Sequence, residues 1–247
     1  DICGEKIGLL GNRKLEDGNL CKDCARKLSP WFSERRNSSV NEIKRQLEYR
    51  EENRGRVEAF HITRTLGSGT KLLLDEDAGL FMVTSAKNIA EANPDVLALS
   101  DVTGCTLDVE ESSKELLHED KDGNEVSYNP PRYEYSYDFY IIVNVNNPYF
   151  NEMRFRINPN SVEISPPPSI RPGVTLRFNP ETNAEYKKYK QLGEEIRQIL
   201  VKVRDDVREK IEQAAAPKTA VSCPYCGATT TPDARGCCEY CGGALMG

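Results

Sequence analysis

The stretch Arg132-Tyr-Glu-Tyr-Ser-Tyr-Asp-Phe-Tyr-Ile-Ile-Val-Asn-Val-Asn146 decides the fold class. Tyr133, Tyr135, Tyr137, Phe139, Ile141, Val143 and Val145 recur at every second position. Successive side chains of a strand point to opposite faces, so this period of two predicts a long strand with one face turned to a core. The tyrosines at 133–137 read as core or sheet-edge packing rather than as a binding face.

The same period continues on both sides. "KLLLDEDAGLFMVTS" (71–85) reads as two strands around a turn at Asp75–Gly79, and "VLALSDVTGCTLDVE" (96–110) as one or two more. Asp122-Gly123 offers a hairpin turn. Downstream, Met153, Phe155 and Ile157 point inward while Arg154 and Arg156 point outward, and Val162 and Ile164 suggest a last short strand. About seven strands between 57 and 178, joined by short turns, predict an antiparallel sandwich or barrel.

Helices flank this β-region, which makes the class α+β. Ser38 or Ser39 opens a connecting helix (31–56) that runs to about Arg54, with Val40, Ile43 and Leu47 on one face and charge over the rest. After the Pro-rich "SPPPSIRPG" (165–173), Asn179 caps and Pro180 begins a long helix over 179–216. Tyr189, Leu192, Ile196, Ile199, Leu200, Val203, Val207 and Ile211 form one apolar stripe on it. At 1.5 Å per residue such a helix is about 54 Å long, more than a small β-domain can cover, so its far part is expected to pack on another chain.

The chemistry lies at the two ends. Eight of nine cysteines flank a long middle that holds only Cys105. In the C-terminal module (223–247, after a linker at 217–222), Cys223-Pro-Tyr-Cys226 and Cys238-Glu-Tyr-Cys241 are separated by eleven residues. Four thiolates at this spacing can surround a tetrahedral Zn2+. Some 25 residues bury too little apolar surface to fold alone, and zinc binding supplies the difference. "CPYC" alone also resembles a glutaredoxin redox motif, but that motif needs a βαβ setting. Cys237 stands outside the two-residue spacing that Cys238 restores.

In the N-terminal module (1–30), Cys3, Cys21 and Cys24 supply three ligands. Cys3-Gly4 reads as the end of a Cys-x-x-Cys-Gly knuckle, which predicts a cysteine immediately before Asp1 that completes the site. His61 or Cys105 is the alternative fourth ligand. "ARKLSPWF" after Cys24 reads as helical, and knuckle, hairpin and ligand-bearing helix together resemble a treble clef. Paired cysteines of this kind indicate metal sites in a reducing compartment, the cytoplasm, rather than disulfides.

Composition narrows the function. The net charge is -6, and 29% of residues are charged. No stretch approaches the ~20 apolar residues of a membrane span. Residues 1–56 carry 13 basic and 10 acidic side chains, a mildly basic region in an acidic chain. The helix 181–216 balances eight against eight and the tail 217–247 two against two, so neither offers a field for nucleic acid. His61 and His118 do not assemble a nucleophile–base–acid set.

The N-terminal run, with Lys14, Leu15, Asp17, Gly18, Cys21 and Cys24, resembles a bacterial family of unknown function with a zinc-finger domain. "LALSDVTGCTLDVEE" and "NNPYFNEMRFRIN" are similar to bacterial PH- or GRAM-like domains, and the tail resembles a generic zinc ribbon. The resemblance implies a seven-stranded PH-like β-domain closed by a C-terminal helix, flanked by two zinc modules, and implies no known activity. The expectation is therefore a non-catalytic interaction or assembly scaffold that binds protein partners or copies of itself. A nucleic-acid-binding zinc-ribbon regulator and a membrane-lipid adaptor are the alternatives. The second of these needs a Lys/Arg cluster, where the first β-turn offers only Arg64 and Lys71.

Overall fold

The computed structural model describes residues 2–8, 11–165, 179–215, 220–233 and 235–245, without the side chains of 203, 207, 208 and 210–215. The chain divides into two compact units, Asp1–Asp205 and Asp206–Gly247.

The first unit opens with a small hairpin, β1 (Asn12–Lys14) and β2 (Asn19–Cys21), followed by a six-residue helix α1 (Lys22–Lys27). Leu15, Leu20 and Cys24 are buried against Leu28 and Ile43 in a core of their own. The helical stretch expected from "ARKLSPWF" ends at Lys27, because Leu28 is extended and Pro30 follows closely.

Helix α2 (Val40–Ala59) carries a capping box. The Ser39 hydroxyl accepts from the Glu42 N–H, and the Glu42 carboxylate accepts from the Ser39 N–H. The helix runs past the expected end near Arg54, since Val57 packs on the β-region. The remainder of the helix is not simply covered by charge. Gln46, Arg50 and Asn53 are buried along with Ile43 and Val57.

Two open four-stranded antiparallel sheets follow. The first runs in the order β3 (Arg64–Leu66), β4 (Lys71–Asp75), β5 (Leu80–Thr84), β6 (Val96–Ala98). It is buried on both faces. Leu72, Leu74, Phe81 and Val83 face the main core, while Leu73 and Met82 face Val57 and Phe60. That is why the run Leu72-Leu73-Leu74 is continuous rather than alternating. The short helix α3 (Ile89–Ala92) covers part of the outer side.

The second sheet is built on two long strands, β7 (Val102–Glu119) and β8 (Glu125–Val145). β9 (Glu152–Arg156) and β10 (Val162–Ile164) pair with successive parts of β8. Among the described residues the central region thus has eight strands where about seven were expected, in two open sheets and not a closed barrel. Of the alternating stripe, Tyr137 to Val145 enter the core, Tyr135 only borders it and Tyr133 is exposed. The reason is length. Among the described residues, β8 outruns its third-strand partners, and beyond the Ile164–Tyr135 pair β7 alone accompanies it.

A 3-10 turn at Pro180–Thr182, capped by Asn179, precedes helix α4 (Ala184–Ala215). The helix proper starts four residues later than expected, where the Asn183 carboxamide accepts from the Glu185 and Tyr186 N–H groups. Tyr186, Tyr189, Ile196 and Leu200 join the core of the two sheets. Gly193 lets the helix backbone close on β7, since a Cβ there would lie 2.5 Å from a Leu107 methyl. The Pro-rich break from Pro166 to Gly173, Ala216–Thr219 and the stripe side chains of Val203, Val207 and Ile211 lie outside the described residues.

In the second unit, β11 (Val221–Ser222) and β12 (Thr229–Thr230) form a two-residue ladder. Among the described residues no helix is long and apolar enough to cross a membrane.

Candidate metal centres

The C-terminal cysteines lie on two knuckles with one backbone plan. In the first, the Gly227 N–H donates to the Cys223 carbonyl and the Cys223 N–H to the Ala228 carbonyl. In the second, Gly242 donates to Cys238 and Cys238 to Gly243. Gly227 and Gly242 hold φ of +74° and +72°, which explains the glycine after each pair.

This plan turns four sulfurs toward one point. Cys223 and Cys241 are 3.5 Å apart, Cys226 and Cys238 3.8 Å, and all four lie within 4.8 Å of one another. An ion bonded tetrahedrally to sulfurs at ~2.3 Å sets them ~3.8 Å apart. A disulfide would need ~2.05 Å. The cluster is spaced to hold a metal ion.

Its proton chemistry fits crowded thiols. Burial opposes ionisation of Cys223, but amides of Cys226 and Tyr225 outweigh it and bring the thiol to about 7. At Cys241 the Gly243 amide favours the thiolate, yet hydrogen bonding to the Cys223 and Cys226 sulfurs prevails and pushes it up to about 12. Cys237 takes no part. It bridges to Ala244, and its sulfur lies 3.8 Å from the Arg235 carbonyl.

At the N-terminus, Cys3, Cys21 and Cys24 converge within 4.8 Å. Cys21 is the N-cap of α1, and its sulfur accepts from the Cys24 N–H at 3.3 Å, which lowers the Cys21 thiol. Burial, then the Cys21 and Cys3 sulfurs, push Cys24 up to about 12. Cys3 lies 3.6 Å from Cys21. Gly4 has φ +77°, matching the glycines that close the C-terminal knuckles. The three sulfurs thus lie close enough together to share one metal ion. Neither alternative fourth ligand is near. Cys105 packs against the main core, and His61 is exposed, 3.9 Å from Asp77. His118 stacks on Tyr128.

The neighbouring motif is structural. Leu15 is buried, and the Asp17 carboxylate accepts from the Val40 N–H at 2.7 Å, clamping the hairpin turn to the start of α2. Two further features were not read from the sequence. One is the buried set formed by Arg50, Asn53, Asn93 and Asp95, in which the bonded partners are 40 and more residues apart. The other is a cleft of 780 Å³ whose lining includes Arg13, Lys14, Arg35 and Arg36. The doublet Arg35-Arg36 and the +3 charge of residues 1–56 were the available signal for it.

Comparison with known proteins finds one family model, described as a domain of unknown function (DUF4428), matching residues 1–46. The match covers the three sulfurs, the hairpin and the first two turns of α2. No curated protein and no solved structure matches the chain.

Proposed function

We propose that this chain is a non-catalytic, zinc-containing scaffold of the bacterial cytoplasm that associates with itself or with protein partners. The observation that carries the reading is the four-sulfur cluster of Cys223, Cys226, Cys238 and Cys241, whose 3.5–3.8 Å spacings suit zinc–thiolate bonds. Thiolate-only sites select zinc or iron–sulfur clusters, and closed four-cysteine sites are structural rather than catalytic. The N-terminal site takes zinc on the same grounds, through Cys3, Cys21 and Cys24.

The body between the metal modules is read as PH-like. Two four-stranded antiparallel sheets followed by a helix packed on their shared core support this. A scaffold also needs surfaces for partners. Tyr225 and Tyr240, one on each knuckle, are 72% and 73% exposed. Aromatic side chains in such positions are frequent anchors at interfaces.

Native mass spectrometry of the full-length protein from its own host tests the reading, since it reports metal content and assembly together. Two zinc ions per chain in an oligomer or a partner complex are the expected result. Absence of zinc, or a monomer that captures no partner, overturns it.

A further inference from the structure

We propose that the tip of the β7–β8 ribbon of one copy docks in the Arg13–Lys14–Arg35–Arg36 cleft of a second copy. This rests on the scaffold reading in its self-associating form and names the contact that makes the assembly.

The ribbon is the first half of the contact. Beyond the Ile164–Tyr135 pair, β7 and β8 continue as two strands with no third among the described residues, and none of residues 111–134 is buried. A two-stranded ribbon is marginally stable alone. Its tip concentrates charge. Between Glu115 and Glu125 there are five carboxylates and one cation, Lys121. Asp120 is consumed by the turn, where it accepts from the Asp122 and Asn124 N–H groups. Among the described residues, Glu115, Glu119, Asp122 and Glu125 make no ion pair. Glu119 and Glu125 are register partners, directly opposite one another. Like charges in that position are destabilising, and a cation set between them reverses the sign.

The cleft is the second half. Arg13 and Lys14 come from β1, and Arg35 and Arg36 from the 3-10 turn Glu34–Asn37. The Arg35 guanidinium donates to the Lys14 carbonyl at 3.2 Å, which fixes the two basic segments side by side. Among the described residues, Lys14, Arg35 and Arg36 make no ion pair, with the ribbon tip or otherwise. Among the described residues of the lining, Glu16 is the one carboxylate.

The observations favour a carboxylate-bearing tip over a nucleic acid. A polyanion leaving this cleft would run onto a chain of net charge -6, whereas a hairpin end delivers its charge locally. The contact joins different surfaces of two copies. It closes as a reciprocal exchange between two copies or as a ring, or propagates into an open chain.

Sedimentation velocity on the full-length, zinc-loaded protein tests this, with E119K/E125K on the ribbon, R35E/R36E in the cleft, and all four changes combined. All four side chains involved in the swap are partly or fully exposed, and far-UV circular dichroism with zinc content checks each fold. The wild type should associate at about 50 mM salt and dissociate at about 500 mM, where screening shortens to a few ångströms. Each double variant should weaken association at least tenfold, and the combined variant should restore it. Association unaffected by either reversal overturns this contact while leaving a scaffold with another interface. A wild type that remains monomeric at low salt also overturns it, and the scaffold reading then depends on a different protein. A cleft that binds a labelled oligonucleotide in an R35E/R36E-sensitive manner without self-association overturns it in favour of nucleic acid.

Discussion

The Arg50 guanidinium lies 2.7 Å from the Asp95 carboxylate, with side chains 6% and 0% exposed. This pair joins three segments that are remote in sequence. Arg50 also donates to the Lys27 carbonyl, and Asp95 also accepts from the Ser29 hydroxyl at 2.8 Å. The end of the N-terminal metal module, helix α2 and the loop before β6 therefore meet on one ion pair. Asn53 completes the set by donating to Asn93 and to the Pro94 carbonyl.

Removing one partner leaves the other charge buried without its counter-charge. Asp95→Ala is expected to cost about 3–5 kcal/mol, read from the urea midpoint by circular dichroism. The double variant R50M/D95L should cost less than either single change, because an apolar pair carries no desolvation penalty. A double variant as unstable as the sum of the two singles contradicts this account.

Gly193 and Leu107 give a second coupled pair. An alanine Cβ at 193 would stand 2.5 Å from one Leu107 methyl and 3.0 Å from the other. Gly193→Ala is expected to destabilise by about 1–2 kcal/mol through overpacking. In a Leu107→Ala background the same change should stabilise by up to about 1 kcal/mol, since alanine is then simply the better helix residue. The reversal of sign in the double-mutant cycle is the test.

How much of this was legible in the sequence follows from the range of the interactions. Elements set by local pattern were: the β4–β5 hairpin, the Ser39 cap and the alternation through Phe139 and Ile141 all lie where periodicity and capping chemistry place them. The cysteine clusters were legible because two-residue spacing fixes ligand geometry within a single turn. Arg50 was not. A basic residue amid the charges of a surface helix reads as solvated, and its partner lies 45 residues away. The exposed ribbon was hidden for the opposite reason. Tyr133 keeps the period of the core stripe, and only the lengths of β9 and β10 decide where that stripe leaves the core.

Asp75 carries a pH dependence whose sign can be worked out. Its carboxylate accepts from the Ala78 N–H at 3.0 Å and the His61 N–H at 2.9 Å, which lowers its pKa below the ordinary 3.8. A folded-state pKa below the unfolded one gives stability that is present above the ordinary value and lost as pH falls through the folded value. Acid unfolding of the wild type between pH 5 and 2, compared with Asp75→Asn, measures it. The variant should show the shallower loss below about pH 4, and identical slopes would mean that Asp75 contributes nothing to the acid limb.

The adjacent thiols Cys237 and Cys238 should be separable by single substitutions. The Cys238 sulfur is 3.8 Å from Cys226 and within 4.8 Å of the other two ligands, and the side chain is 2% exposed. Its amide donates to the Gly243 carbonyl and its carbonyl accepts from Gly242, so the knuckle backbone aims it inward. Cys237 is held by different partners, with its amide donating to the Asp233 carboxylate at 2.8 Å. Because strand neighbours point to opposite sides, the bridge between Cys237 and Ala244 turns its sulfur away from the cluster. Cys237→Ser should therefore keep the full metal content and chelator resistance of the wild type. Cys238→Ser should lose one metal ion per chain and, with it, the order of the second unit, since the module has too little core to fold without an ion. Metal analysis together with hydrogen exchange of residues 220–245 reads both effects. If Cys237→Ser lost the metal and Cys238→Ser kept it, the ligand set would have to be redrawn around the other thiol.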